Sequence, residues 1–218
     1  MRSIRRLFAQ VGRAAALLPV AVGAPLVVPA AITQTSVAAP QPDPVPRRWQ
    51  LNIKPGPLRL AILDVEGQGE QAYFYFTYYV ENNTGEDLLF APSFQIATDD
   101  GEIMNSGANV PSAVTREILE RLRNPFLLDQ ISAVGLLLQG EENAREGVVI
   151  WPAENLEVDE VNLFAAGFSG ETKTIIRPDT GEPVLLRKTL MLRHETPGDI
   201  AGIGDRPLDR VDRRWIMR

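Results

Sequence analysis

Few of the usual tools of catalysis are present in this chain. Cysteine is absent, and His194 is the only histidine. A Ser-His-Asp relay would have to pass through that one imidazole. His194 ends an alternating segment beside Glu195, the setting of a strand-end side chain capped by a neighbour or by solvent. No Gly-x-Ser-x-Gly elbow occurs, and Gly167-Phe168-Ser169-Gly170 reads as a strand-ending turn. Zinc needs several His or Cys ligands, which the chain lacks. The acidic turns Asp99-Asp100-Gly101-Glu102 and Glu141-Glu142-Asn143 are the places to look for calcium. Neither has the alternating ligand spacing of an EF-hand loop, so both read as solvated turns. A glycosidase needs two carboxylates at a set separation. With 28 acidic residues, pairs arise by chance and none stands out. No glycine-rich phosphate loop follows a strand and opens a helix. The expectation is a protein without metal, cofactor or catalytic set. A carboxylate-dependent hydrolase is the catalytic alternative.

The one unusual concentration is aromatic. All four tyrosines lie within Ala72-Tyr73-Phe74-Tyr75-Phe76-Thr77-Tyr78-Tyr79-Val80. Side chains alternate across a strand, so Phe74, Phe76 and Tyr78 share the natural core face. Tyr73, Tyr75 and Tyr79 share the other, as flat rings with a hydroxyl at each tip. Such a row suits stacking on sugar rings or burial in a protein partner. If another element covers it, Tyr75 at the strand centre is expected to be buried, with Tyr73 and Tyr79 partly exposed.

The elements that position these residues alternate with period two. Trp49, Leu51 and Ile53 share one face, and Leu58, Leu60 and Ile62 repeat the pattern. The tyrosine strand and the next one, Leu88 to Ile96, flank Asn82-Asn83-Thr84-Gly85, which signals a hairpin. Further strands are expected at about 131–138, 146–151, 158–168, 172–176, 184–194 and 211–217. Pro178-Asp179-Thr180-Gly181 marks a hairpin between two of them. One helix is expected at about 112–123. There Val114, Ile118, Leu119 and Leu122 make an apolar stripe, Ser112 suits the N-cap, and Glu117 and Arg121 pair on the wet side. About nine strands, one helix and frequent turns make a mainly β, antiparallel sandwich with one inserted helix. The helix per strand that a parallel sheet needs is missing.

The first residues bear on compartment. Arg2, Arg5, Arg6 and Arg13 precede an uncharged stretch, Ala14 to Ile32, and then Thr35-Ser36-Val37-Ala38-Ala39. That is the layout of a secretory signal peptide, 1–38, cut between Ala38 and Ala39. Pro19, Pro25 and Pro29 argue against a spanning anchor, so no stable span is expected after processing. Arg5-Arg6-Leu7-Phe8 approaches a twin-arginine core, but Ile4 and Ala9 are not its favoured neighbours, so the general secretory route is preferred. An exported chain without cysteine folds without disulfides, which fits a bacterial periplasm or envelope. Residues 39–46, APQPDPVP, read as an extended, unpaired tether, with a single domain from 47 to 218. That mature chain carries 18 basic and 28 acidic residues, a net charge of −10, which excludes a nucleic-acid partner.

Three stretches carry a resemblance. They are ENNTGEDLLFAPSFQIATDDGEI (81–103), LLLQGEENAREGVVIWP (136–152) with FAAGFSGET (164–172), and LLRKTLMLRHETPGD (185–199) with the terminal RRWIMR. Together they resemble a family of uncharacterised exported bacterial proteins with an immunoglobulin-like β-sandwich. The resemblance spans most of 47–218 and implies that fold, with no assigned activity. The expected role is a non-enzymatic envelope or periplasmic module with a protein partner. A glycan-binding module using Tyr73, Tyr75 and Tyr79 is the alternative.

Overall fold

The computed structural model describes residues 39–46, 48–196 and 200–218. The signal-peptide assignment, including Ala38 at the cleavage point, lies outside the described residues. The described residues are mainly β, with one α-helix. The first sheet runs in the order β1 (Asn52–Val65), β2 (Gly69–Glu81), β8 (Arg145–Pro152), β6 (Leu127–Leu128). The second runs β10 (Thr172–Ile176), β11 (Pro183–Glu195), β9 (Glu160–Ala166), β4 (Ser93–Thr98), β5 (Ile103–Asn105), with β12 (Asp209–Met217) also on β11. A separate ribbon joins β3 (Leu88–Phe90) to β7 (Gly135–Leu137). Pairings are antiparallel, except that β6 lies parallel to β8.

The two large sheets share one core. Leu58 and Leu60 of β1, Phe74, Phe76 and Tyr78 of β2, and Val149 and Trp151 of β8 meet Phe94, Ile96, Leu163, Leu190 and Leu192 of the second sheet. Residues 49–51 begin beside the second sheet, where Leu51 N–H donates to Phe168 O at 2.9 Å. The chain then becomes the edge strand of the first sheet. The two expected segments around Leu51 and Leu60 are thus a single path, with a register shift between Pro55 and Leu58. Gly56 is required in that shift, because a Cβ there would collide with Thr77.

The expected hairpin at Asn82–Gly85 does not form. Both edges of β2 are occupied, by β1 and β8, so the chain leaves the first sheet instead of pairing back. Asn82 directs the exit. It is fully buried, and its amide donates to Glu86 O and Leu137 O, both at 2.9 Å. Its Oδ1 accepts from Thr84 N–H at 3.1 Å. The hairpin of β10 and β11 does form, and Gly181 takes φ +72° in its turn.

The helix α1 (Ser112–Leu122) packs on the outer face of the first sheet. Its N-cap is Pro111 rather than Ser112, and the left-handed Arg123 ends it. Val114 and Ile118 are buried against Ala61, Leu63, Tyr73, Tyr75, Val148 and Ile150. β8 is therefore covered on both faces, which explains its unbroken apolar run. Ile62, expected in the core with Leu58 and Leu60, is 40% exposed. At that end of β1 the cover comes from α1, and α1 buries the opposite parity, Ala61, Leu63 and Val65.

The proline-rich stretch is not an unpaired tether. It is irregular, but Asp43 N–H donates to Glu171 Oε1 at 2.8 Å, and Asp43 pairs with Lys173 at 3.3 Å.

Candidate functional site

Strand β2 was expected to present a row of tyrosines, and the structure divides that row. Tyr75 is buried, 8% exposed, beneath α1. Tyr73 is also buried, at 3%, where partial exposure was expected. The reason is local. Tyr73 lies between Ala61 of β1 and Pro152 of β8, inside the strip that α1 and the outer residues of β1 close over. Burial raises the phenol pKa of both residues; for Tyr75 the nearby Arg59 cation opposes it. Tyr78 faces the inner core, and burial raises its pKa strongly.

Tyr79 alone of the row stays partly exposed. Strand register sets Lys54 of β1 and Glu146 of β8 on either side of it. The Lys54 ammonium lies 4.5 Å from the Tyr79 ring centroid, within cation–π range. Glu146 accepts a hydrogen bond from Asn124 Nδ2, just past the end of α1. These residues, with Thr77, Leu122 and Leu127, line a cleft of about 410 Å³. The Tyr79 phenol pKa is raised by desolvation, then by Glu81, Glu141 and Glu146. A cation, a ring and a carboxylate thus stand in one cross-strand row. On the other flank of α1, Val110, Leu119, Val148 and Ile150 floor a groove of about 520 Å³ with Arg116 at its rim.

A further open apolar surface lies on the ribbon of β3 and β7. Leu89 and Leu136 face each other across it and are 74% and 55% exposed. Val134 and Leu138, two residues to either side of Leu136, are exposed as well. The underside, Phe90 and Leu137, is buried in the shared core. Sequence reading missed this face, although Leu136-Leu137-Leu138 carried the signal. Three consecutive leucines in an extended chain cannot all point inward.

His194 does lie at the end of β11, one residue before Glu195, but no solvent caps it. It is fully buried on the same side of β11 as Leu190 and Leu192. Neither ring nitrogen has a hydrogen-bond partner among the described residues. Burial, with the Arg210 cation adding to it, pushes its pKa down to about 4, so the ring is neutral at neutral pH. Among the described residues no hydroxyl or carboxylate bonds the ring as a relay needs. Ser169 holds a turn, as expected, with its hydroxyl donating to Trp49 O at 3.3 Å.

The carboxylates of the first acidic turn, Asp99 and Asp100, are occupied by backbone, amide and hydroxyl donors. Asp99 Oδ1 accepts from Asp159 N–H at 3.2 Å. Asp100 Oδ2 accepts from Asn155 Nδ2 at 3.0 Å, and the Thr98 hydroxyl donates to Oδ1. Those bonds, Thr98 first, hold the Asp100 carboxyl below its usual pKa. Glu141 to Asn143 form one turn of 3-10 helix. Among the described residues no three His, Cys, Asp or Glu side chains converge as metal ligands would. Comparison of the chain with protein-family models, with curated proteins and with solved structures returns no match.

Proposed function

We propose that this protein is a non-enzymatic interaction module, exported to the bacterial periplasm or envelope. Its contact surface is the outer face of the β3–β7 ribbon. The observation that carries this reading is the paired exposure of Leu89 and Leu136, continued by Val134 and Leu138, on a ribbon whose other side is core. An apolar face of this kind is kept at a cost in solubility and marks an interaction site. Its backing, Phe90 and Leu137, is packed in the core, so little ordering is needed on binding. Export is supported by the basic, apolar and small-residue layout of 1–38 and by the absence of cysteine. An immunoglobulin-like arrangement is supported by two sheets over one core. The glycan reading loses support, since Tyr73 and Tyr75 lie under α1.

Photocrosslinking in the native envelope tests the surface. A photoreactive residue at Leu89 or Leu136 is expected to give one adduct of discrete mass. The same residue at Ile176, which is 63% exposed elsewhere, is the control and should give none. Absence of a discrete adduct at both ribbon positions overturns the reading.

A further inference from the structure

Gln41-Pro42-Asp43-Pro44-Val45-Pro46 offers few backbone donors, because proline has no N–H. One of those few, the N–H of Asp43, donates to Glu171 Oε1 at 2.8 Å. The carboxylate of the same residue lies 3.3 Å from Lys173 Nζ, and Lys173 also donates to Gln41 O. A single aspartate is thus read twice, through its backbone and through its side chain.

The receiving groups are built into the sheet. Glu171 Oε2 bonds Lys188 Nζ at 2.9 Å, and both side chains are almost fully buried, at 6% and 4% exposed. Lys188 N–H also donates to Glu171 O at 3.0 Å, and its ammonium lies 5.7 Å from the Trp215 ring. A buried carboxylate needs its oxygens satisfied. Lys188 satisfies one, and the other accepts from an arriving extended chain. A cavity of about 350 Å³ remains between the segment, Gln50, Lys188 and Trp215. Aromatic-lined grooves of this kind suit polyproline chains, which are extended before they bind and lose little entropy on docking.

We propose that Glu171, Lys173, Lys188 and Trp215 form a recognition site for an extended, proline-flanked aspartate, and that the chain's own Pro42-Asp43-Pro44 occupies it in cis. The occupant in trans is a peptide of the same Pro-Asp-Pro chemistry. The cis segment is joined to the sheet within a few residues, since Trp49 O already accepts from Gly170 N–H. Its effective concentration is therefore on the order of millimolar or higher. A peptide in trans binds only when the cis segment is displaced, which makes the contact autoinhibitory. The site shares no residue with the β3–β7 ribbon and does not depend on the function proposed for it.

The test is a labelled peptide, acetyl-APQPDPVPRR-amide, titrated by fluorescence anisotropy against the full chain. Asp43→Lys sets two cations against each other at Lys173 and should free the site. The peptide is expected to bind Asp43→Lys at least tenfold more tightly than the unaltered protein. Replacing the peptide's aspartate by asparagine should reverse most of that gain. Adding Lys173→Glu to Asp43→Lys re-seats the cis segment through a swapped ion pair, and peptide binding should be lost. Should Asp43→Lys impair folding, Asp43→Asn serves the same comparison, with an expected gain of about threefold. Equal binding to the unaltered protein and to the variants overturns the proposal, and so does no binding to any variant.

Discussion

The two faces of β2 are built from similar residues and have different fates. The inner face, Phe74, Phe76 and Tyr78, lies in a core shared by both large sheets. Phe76, Tyr78, Phe94 and Phe168 make ring contacts there with centroids 4.9–6.5 Å apart. The outer face, Tyr73, Tyr75 and Tyr79, is covered by one three-turn helix for part of its length and then opens into a cleft. Aromatic content was the same signal on both sides. What differs is the extent of the element laid against each. A sheet covers a whole strand, whereas a short helix crossing it covers only a few positions.

Three measurements can break or sharpen that contrast. The largest effect belongs to the inner face. Phe76→Ala should destabilise the fold by about 3–5 kcal/mol, since a fully buried ring leaves a cavity that sheets on both sides cannot close. Tyr75→Ala should cost less, about 2–3 kcal/mol, because α1 can settle into the space. Denaturant melts of both variants rank the layers, and an equal or larger loss at Tyr75 would show that the helix layer is as rigid as the core.

Acid titration of the inner core comes next. The buried His194 ring has its pKa pushed down to about 4 in the folded state. An unfolded histidine takes up its proton near pH 6.5. The unfolded chain therefore binds more protons between those values, and stability falls as pH drops through that window. The full contribution, about 3 kcal/mol, is present above about pH 6.5 and lost by about pH 4. His194→Leu should flatten the melt-versus-pH curve across that range. A curve as steep as that of the unaltered protein would place the acid sensitivity elsewhere. Glu171 acts at lower pH. Burial opposes its ionisation, but the Asp43 N–H and Lys188 outweigh this and lower its pKa, so its contribution is lost only below the usual carboxylate range.

The smallest effect is expected at the open end of the row. Tyr79→Ala should cost under about 1 kcal/mol, because the ring is partly solvated and its Lys54 contact is a surface cation–π pair. A loss comparable to that of Tyr75 would mean that the cleft is a third packed layer rather than a surface.

Much of this arrangement was legible beforehand. Alternation picked out Phe74, Phe76 and Tyr78 as core, and helical spacing placed Val114 and Ile118 on one buried stripe. Gly181 marked a real turn. The candidate surfaces were less legible. Lys54, Tyr79 and Glu146 come from three strands, and Leu89 and Leu136 from two, with nothing in their local sequence to join them. The contact between the proline-rich stretch and Glu171 joins residues 128 apart in the chain.

By itself the sequence determined the long strands around Phe74, Val149, Leu163 and Leu190 and the helix around Val114, because those preferences act over a few neighbouring bonds, whereas the strand expected at 131–138 shrank to Gly135–Leu137. It also determined that β2 has two aromatic faces, since side-chain direction alternates by geometry alone. Only the tertiary structure decided that β2 pairs with β8 rather than with the strand that follows it. Only the tertiary structure placed α1 over Tyr73 and Tyr75, sealed His194 inside and left Leu89 and Leu136 outside. Those choices depend on which distant segments compete best for each edge and face. Lengthening the intervening loop adds little to the entropy of closing it, so separation along the chain does not identify the winner.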